Sequence, residues 1–488
     1  MVNIRRSLFF AFLSSNSGTA LNFLVTIILA RLLTPGEIGI YSIAAVLVSI
    51  SHIFREFGVS SYLKREKELT TAKIRAAFGI LLFTSWSLAL ILFLVSGAAA
   101  GYYNKKEIEA VIQVLALGFI FIPFGAIPMA LLAREYRAQE AAMADMFGVV
   151  AYATSSIALA YHGLGYMTMA WANLINIVTT SLAYTYFRPQ HTPWLPSFRG
   201  WGKVMHFGTG TVLTNAITAV NNALPDLVLG KLRGPHSVGI MSKAISTTNI
   251  FTQIAGHTLN YATLRFLSQK HHANESLAEP IQKGVSYVTV FYWPILIATA
   301  IFAEPIIRFL YGVQWLECVP VIRIVCLSTA ISTLTIFNGT ALTALGRPYL
   351  SAVPGTIQLL ATAAMITILY TGTLTSFAYA LLAATAITFP IHLWLQRRHL
   401  RIKTLAFLIS QKTSLIISLL LSIYLLLLNA AISFLPTWAK LLTLVGVTTP
   451  LWLYLVHSLQ HPIMNELIAL AARYPLLRTF FRAPKHEQ

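Results

Sequence analysis

The sequence has few charged residues for its length. Only 10% of its 488 residues are Asp, Glu, Lys or Arg, and 56% are apolar, whereas a soluble globular domain carries about 25% charged residues. The mean hydropathy is +0.69. The chain therefore has too little polar surface for a water-soluble enzyme, and this composition is typical of a membrane protein.

The sequence also has few cysteines and lacks the common metal-binding and nucleotide-binding motifs. The two cysteines, Cys318 and Cys326, lie in one apolar run. Eight residues of helix rise about 12 Å, which exceeds the Cα separation of about 7 Å that a disulfide allows. The sequence contains no CxxC, HExxH or GxxxxGK[ST] pattern. We therefore predict no disulfide, metal site, catalytic residue or bound organic cofactor.

Acidic residues are fewer than basic ones. The chain has 35 Lys and Arg against 16 Asp and Glu, a formal charge of +19. In a soluble protein this excess would suggest a nucleic-acid partner. Here the basic residues form short clusters between apolar runs of about 20 residues, so we expect no nucleic acid and interpret the excess as a membrane orientation signal.

Fourteen apolar segments of membrane-crossing length follow one another, with no soluble domain between them. The sequence therefore predicts an all-α polytopic membrane protein with about 14 transmembrane helices. These segments begin near Ser7, Ile38, Ala76, Ile108, Ala141, Tyr166, Val204, Val238, Val285, Cys318, Leu350, Leu374, Leu405 and Lys440.

Basic residues alternate between the two predicted sides of the membrane. With the N-terminus inside, 25 of the 35 Lys and Arg fall in cytoplasmic segments such as 64–75 and 397–412. Cytoplasmic loops carry such an excess of Lys and Arg. We therefore expect both termini to be cytoplasmic.

An internal repeat appears at an offset of 200 residues. Residues 29–44 align without a gap with residues 229–244, and the extended alignment has ten identities in 32 positions. Arg31 aligns with Lys231. Six predicted helices separate the copies, which indicates two six-helix lobes in a parallel pseudo-two-fold repeat. Coincidence between two helix-loop-helix joints is the alternative.

The repeat and the loop composition predict the domain organisation. An N-lobe of six helices occupies residues 1–187, and a C-lobe of six helices occupies residues 201–400. A proline-rich cytoplasmic linker, residues 188–200, joins them. Helices 13 and 14 fall in residues 401–461, and residues 462–488 form a cytoplasmic amphipathic tail suited to anionic lipid.

Polar side chains are concentrated in predicted helices 1 and 7. Asn16 and Asn22 lie on helix 1, and Asn215 and Asn222 on helix 7. An unsatisfied polar group in hydrocarbon costs several kcal/mol, so we expect these amides to line a hydrated cavity between the lobes. Helix packing through small polar residues is the alternative.

Basic residues at or within the predicted spans are candidates for substrate binding. A cavity lined by them would attract an anionic, phosphate-bearing substrate. For those near the outer interface, snorkelling of the side chain is the alternative. The predicted cavity cations are Arg31, Arg55, Lys231, Arg233, Lys243 and Arg323.

Acidic residues within the spans are candidates for binding a coupling proton or Na⁺. They are Glu56, Asp145 and Asp226, and the last two are the only aspartates in the chain. Pairing with an intramembrane cation is the alternative for each. Glu304 and Arg308 lie four apart in the favourable order, which favours an ion pair along one helix.

Four runs of sequence carry a resemblance to a known family. They are RLLTPGEIGIYS at 31–42, FGVSSYL at 57–63, DLVLGKLRG at 226–234 and ALGRP at 344–348. They resemble the Wzx-type oligosaccharide flippases, polysaccharide transporters of the multidrug/oligosaccharidyl-lipid/polysaccharide (MOP) exporter superfamily. The second repeat departs from the family pattern. Its residues 239–244 read GIMSKA, with Met241 and Lys243, in a segment where the family usually has a tyrosine.

The resemblance implies a transporter rather than an enzyme. It implies two lobes plus a terminal helix pair in the bacterial inner membrane, moving an undecaprenyl-pyrophosphate-linked oligosaccharide to the periplasmic leaflet by alternating access. The cations would hold the pyrophosphate, the polar residues would bind sugar hydroxyls, and H⁺ or Na⁺ could be coupled. Expected partners are the lipid-linked oligosaccharide, membrane lipids, a polysaccharide polymerase and glycosyltransferases.

Three other functions remain open. A cation-coupled multidrug exporter of the same superfamily would be expected to carry an acidic residue in helix 1, and residues 7–33 contain none. A lipid II flippase would have a chemically similar substrate. A membrane-embedded polysaccharide polymerase or ligase would be expected to have a long periplasmic loop, whereas the predicted outer loops have about ten residues or fewer.

Overall fold

The protein is helical throughout the part that the structure, a computed structural model, describes. That part comprises residues 4–56, 59–66, 68–190, 192–193, 195–197 and 201–473. The helices of the first half are α1 (Ile4–Leu32), α2 (Pro35–Glu56), α3 (Val59–Arg65), α4 (Thr71–Tyr103), α5 (Lys106–Arg134), α6 (Ala138–Tyr161) and α7 (Met167–Tyr186).

The second half begins with two long helices and ends with shorter ones. They are α8 (Trp201–Arg233), α9 (Pro235–His272), α10 (Ala278–Ile301), α11 (Ala303–Leu310), α12 (Cys318–Thr333), α13 (Asn338–Ala344), α14 (Ala352–Leu369), α15 (Leu374–His399), α16 (Thr404–Ser410), α17 (Lys412–Ala431), α18 (Thr437–Ser458) and α19 (Ile463–Arg473).

Ten helical stretches within the described residues are long and apolar enough to cross a membrane. Within α1, Ser17–Leu32 forms a shorter apolar helix. The protein is therefore a multi-pass, all-helical membrane protein, as its composition predicts. The number of crossings predicted from the sequence, fourteen, stays a prediction.

Helices pack mainly within each half of the chain. In the first half α1 lies against α6, α4 against α5, and α7 against α5 and α6. In the second half α8 lies against α14, α10 against α12, and α15 against α12 and α14. Between the halves, α2 packs on α8 and α9.

Two short turns start the helices α2 and α9 that join the halves. At the first turn Thr34 Oγ1 accepts the Glu37 N–H (3.3 Å) and Glu37 Oε2 accepts the Thr34 N–H (2.8 Å), which is a capping box. Pro35 opens α2, where no N–H donor is needed. At the second turn Gly234 has φ +80°, a left-handed value that favours glycine, and Pro235 opens α9.

The starts of α2 and α9 cross in backbone contact. A Cβ placed on Gly39 would lie 1.7 Å from Pro235 O, and one placed on Gly239 would lie 2.0 Å from Pro35 O. Real Cβ atoms cannot come so close, so only glycine permits this approach. We call these four residues, Pro35, Gly39, Pro235 and Gly239, the glycine crossing.

The described part of the predicted linker lies against the start of α4. The Ser197 N–H donates to Arg75 O (2.8 Å), and Arg75 Nε donates to Leu195 O (3.1 Å). A Cβ on Gly79 would lie 2.2 Å from Ser197 O. The linker therefore packs closely on the first half of the chain.

The His461 side chain, just after α18, contacts α10 and α17. Its side chain is buried, with 1% of its surface exposed. Nδ1 accepts the Ile463 N–H (3.2 Å), so Nε2 carries the proton in the neutral ring and can donate to Ser286 Oγ (2.9 Å) or Ser414 Oγ (3.1 Å). Burial lowers the pKa of His461 to about 4. The predicted tail beyond residue 473 lies outside the described residues.

Candidate functional site

Arg31, at the end of α1, contacts the other half of the chain. Its Nε donates to Leu310 O (3.1 Å) and its Nη2 donates to Phe309 O. These carbonyls belong to the last turn of α11, where backbone acceptors have no partner within the helix and the helix dipole is negative. Arg31 therefore caps a helix of the second half.

Lys231, the residue aligned with Arg31, makes the reverse contact. Its Nζ donates to Tyr102 O (2.5 Å), in the last turn of α4, and lies 4.3 Å from the centroid of the Tyr102 ring. The neighbouring Tyr103 hydroxyl donates to Leu227 O on α8 (3.2 Å). Each half thus offers one cation to a helix end of the other half, and each cation lies four residues before a proline of the glycine crossing.

Two residues that the sequence did not single out complete these contacts. Gln314 Nε2 donates to Ala30 O (2.7 Å) and Leu33 O (3.2 Å), and Trp315 Nε1 donates to Ala30 O (2.7 Å). Both donors satisfy the last carbonyls of α1. A buried tryptophan needs an acceptor for its N–H, but the sequence does not tell which acceptor it finds.

Lys243 is buried between the two halves, with 6% of its surface exposed. Its Nζ lies 3.5 Å from Thr26 O on α1, and 5.4 and 5.7 Å from the ring centroids of Tyr311 and Trp315. Aromatic faces attract a cation at such distances. Lys243 is the most deeply buried of the cations that the sequence predicts as binding residues.

The repeat places Ile43 where the second half has Lys243. Ile43 is fully buried, and a Cβ on Gly230 of α8 would lie 2.9 Å from its Cδ1. Two aligned positions therefore face helices of the opposite half. Ile43 brings an apolar side chain to this contact, and Lys243 brings an ammonium group.

Arg233 and Arg323 form contacts inside the second half. Arg233 Nη1 donates to Gly372 O and its Nε donates to Ser237 Oγ (3.2 Å). Arg323 Nε donates to Ala300 O, near the end of α10 (3.3 Å). The structure therefore brings Arg31, Lys231 and Lys243 to the contact between the halves, and places these two arginines elsewhere.

The predicted acidic and amide residues are spread along the helices. Asp145, on α6, accepts a hydrogen bond from the Tyr184 hydroxyl (2.7 Å). Asn22 and Asn222 have exposed side chains, and Asp226 is half-buried one turn beyond Asn222. Arg55 is half-buried near the end of α2, about 24 Å along the helix from Gly39.

Three of the predicted site residues have side chains that the structure does not describe, whereas the predicted ion pair is present. The side chains of Asn16, Glu56 and Asn215 lie outside what the structure describes. Arg308 Nη2 lies 3.0 Å from Glu304 Oε1, so the predicted ion pair on one helix is confirmed. Within the described residues no group of three His, Cys, Asp or Glu is placed to hold a metal ion.

An apolar groove of about 540 Å³ runs between α10, α11 and α18. Phe291, Ile306, Leu441 and Trp452 lie along it. Since these helices are long enough to cross a membrane or adjoin such a helix, the groove has the character of a site for a hydrocarbon chain.

Comparison with known sequences identifies the family. Residues 28–320 match the profile of the polysaccharide biosynthesis protein family. Lipopolysaccharide biosynthesis protein WzxC of Escherichia coli (strain K12) is 21% identical over 301 residues, which cover 61% of this chain and 61% of WzxC. The chain thus matches about three fifths of the length of this relative.

Solved structures share the fold. The lipid II flippase MurJ in an inward closed conformation matches with a TM-score of 0.73 at 13% identity, covering 96% of this chain and 100% of that one. An inward-facing multidrug resistance MATE family transporter of the MOP superfamily matches with a TM-score of 0.59 at 14% identity, covering 80% and 95%.

These two structural neighbours are a flippase and a transporter. The matched profile covers more than half of the chain. The protein therefore belongs to the polysaccharide biosynthesis protein family, as its resemblance to the Wzx-type flippases predicts.

Proposed function

We propose that the protein is a flippase that moves a polyprenyl-pyrophosphate-linked oligosaccharide from the cytoplasmic to the periplasmic leaflet of the bacterial inner membrane. The observation that carries the proposal is the contact between the halves. Arg31 and Lys231 cap helix ends across the glycine crossing, and none of these contacts is covalent. Such a contact can open and close, as alternating access requires.

The packing supports two lobes in a parallel repeat. The pairs α1–α6, α4–α5 and α5–α7 of the first half correspond in order to α8–α14, α10–α12 and α12–α15 of the second half. We accordingly assign residues 1–187 and 201–400 to two six-helix lobes, 188–200 to the linker, and 401–461 to helices 13 and 14. In this arrangement fourteen crossings leave both termini on the same side of the membrane. The distribution of Lys and Arg makes that side the cytoplasm, and the tail 462–488 lies there too.

The same cations offer a way for substrate to open the contact at the glycine crossing. Arg31 and Lys231 are held by neutral carbonyls, whereas a pyrophosphate offers charged oxygens that form stronger, charge-assisted hydrogen bonds. A pyrophosphate that reached these cations would replace the carbonyls and favour separation of the lobes. A ligand shifts a conformational equilibrium only by binding one state better, and this exchange of partners supplies that difference.

Other parts of the substrate have matching surfaces. The exposed amides of Asn22 and Asn222 are suited to sugar hydroxyls, and the apolar groove is suited to the polyprenyl chain. Asp145, Asp226 and Glu56 are the proposed sites for a coupling H⁺ or Na⁺. Glycosyltransferases would supply the substrate, and a polysaccharide polymerase would consume it.

Reconstituted vesicles test the function. The purified protein should move a fluorescent polyprenyl-pyrophosphate oligosaccharide out of reach of a membrane-impermeant quencher. Lys243→Met should slow this movement by about two orders of magnitude, while Lys440→Gln should leave it unchanged. Movement equal to that in protein-free vesicles would refute the proposal. Movement of lipid II alone, or of an organic cation alone, would assign one of the alternative functions instead.

A further inference from the structure

A second cluster of basic side chains lies at the opposite end of α9 from the glycine crossing. A pocket of about 620 Å³ opens where the chain leaves α9, α13 and α15. Since α9 has 38 residues, the pocket is about 57 Å from the crossing along the helix. We call it the basic pocket, and its basic residues are His271, Arg347, Arg398, His399 and Arg401.

The basic pocket has excess positive charge. Its single carboxylate, Glu275, is bound by Lys270. Within the ranges that the structure describes, Arg347, Arg398 and Arg401 form no ion pair. Three guanidinium groups around one cavity are suited to a phosphate, because each presents several N–H donors in a fixed plane.

Buried amides fix the backbone of the basic pocket. Gln396 Nε2 donates to Asn338 Oδ1 (2.8 Å), and both side chains are buried. The N–H groups of Leu400 and Ile402 both donate to Gln396 O (3.1 and 3.2 Å), and Arg401 has φ +54°. The turn that carries the arginines is therefore held in place by α13 and α15.

The basic pocket lies at the depth of lipid headgroups. Arg398 and His399 end the membrane-crossing helix α15. Arg347 lies two residues before the start, at Tyr349, of the crossing stretch that precedes α15 in the chain. Trp394 is 49% exposed, and the Arg398 guanidinium carbon lies 5.2 Å from the centroid of its ring. Exposed Trp and Tyr at helix ends mark the membrane–water interface.

We infer that the basic pocket binds the phosphate of an anionic phospholipid, such as cardiolipin or phosphatidylglycerol, from the leaflet that it faces. A soluble anion would need the arginines but not the exposed Trp394 ring beside Arg398, whereas a phospholipid uses both. Basic pockets between transmembrane helices at the cytoplasmic side are suited to such headgroups. The bound lipid would hold together the ends of α9, α13 and α15, and this inference does not depend on the proposed transport function.

Lipid retention by the purified full chain tests the inference. Native mass spectrometry would compare Arg347→Gln/Arg398→Gln with Lys105→Gln/Lys106→Gln, which removes the same charge from two exposed residues elsewhere. Wild type and the lysine variant should keep cardiolipin through detergent exchange. The arginine variant should bind cardiolipin about 25-fold more weakly, because each cation contributes about fivefold.

Several outcomes would overturn the inference. Equal cardiolipin retention in both variants would do so, and so would equal loss in both. Inorganic pyrophosphate that displaced cardiolipin at low concentration would assign the basic pocket to a free or substrate phosphate instead. If the double variant failed to fold, Arg398→Gln alone should still show about a fivefold loss, and Arg347→Lys/Arg398→Lys should retain most of the binding. Because transport is not the readout, these results stand apart from the proposed function.

Discussion

The two ends of α9 use basic residues in opposite ways. Near the glycine crossing, Arg31 and Lys231 are bound by backbone carbonyls of the opposite half. At the other end, Arg347, Arg398 and Arg401 surround an open pocket. The difference follows from what lies opposite each group. Arg31 and Lys231 face unpaired carbonyls at helix ends of the other half, whereas the three arginines face a cavity at headgroup depth. Cations at one end therefore join the halves, and those at the other are available to a ligand.

A second contrast lies within the contact itself. Ile43 and Lys243 occupy aligned positions, and both are buried against helices of the other half. A buried ammonium group without a carboxylate partner costs free energy, whereas the isoleucine does not. We therefore expect Ile43 to contribute to stability and Lys243 to contribute to function.

The largest loss of stability is expected from adding a methyl group at the glycine crossing, where the two backbones are in contact. Gly39→Ala places a methyl group against the Pro235 carbonyl, and since backbone cannot yield as a side chain does, we expect a loss of about 3 kcal/mol or more. The melting temperature and surface polysaccharide in complemented cells would measure it. Gly36→Ala is the matched control, because no atom lies within 4 Å of a Cβ there. Equal effects of the two substitutions would contradict the crossing.

Lys243→Met separates function from stability at the contact. Replacing a buried charge with an apolar side chain of similar length is often neutral or stabilising, so the melting temperature should stay level or rise. Transport should fall by about two orders of magnitude if the ammonium group binds substrate, since such a bond is worth about 3 kcal/mol. Met241→Leu serves as the neighbouring control. A variant with wild-type transport would show that the cation has no transport role.

A pH effect on stability should come from His461. The folded pKa is about 4, below the ordinary value of about 6.5, so the unfolded chain binds the extra proton first. Stability is then full above pH 6.5 and falls as the pH drops toward 4, by about 3 kcal/mol at most. Melting curves at pH 7.5 and pH 5 measure the loss. His461→Asn should flatten the dependence, and an unchanged slope would count against this origin.

The smallest effects on stability are expected from single substitutions of the two exposed cations. Arg31→Gln and Lys231→Gln should each cost about 1 kcal/mol, because solvent screens exposed charges. Since their contacts involve different helix ends, the double variant should lose the sum. Melting temperatures of the single and double variants, with Lys106→Gln as control, test this. A strongly non-additive result would mean that the two contacts form one unit.

The helices were predictable from the sequence because apolar runs of membrane-crossing length are unambiguous. The matched Pro and Gly residues of the repeat were visible as well. Their mutual contact was not, because an alignment shows which positions correspond and not which ones touch. The partners of Arg31 and Lys231 were hidden for a similar reason: backbone carbonyls leave no mark in the sequence. Gln314 and Trp315 were missed because a lone Gln and Trp have no distinctive spacing.

The most direct test of alternating access is the distance, in membranes, between the two halves near the glycine crossing. Spin labels at Lys105→Cys and Val313→Cys, two exposed positions in different halves, would be measured with buried Cys318 and Cys326 replaced by serine. Alternating access predicts a short and a long distance, with lipid-linked oligosaccharide increasing the long population. The distance between labels at Lys105 and His162, both in the first half, should stay constant. A single distance that does not change when substrate is added would contradict alternating access.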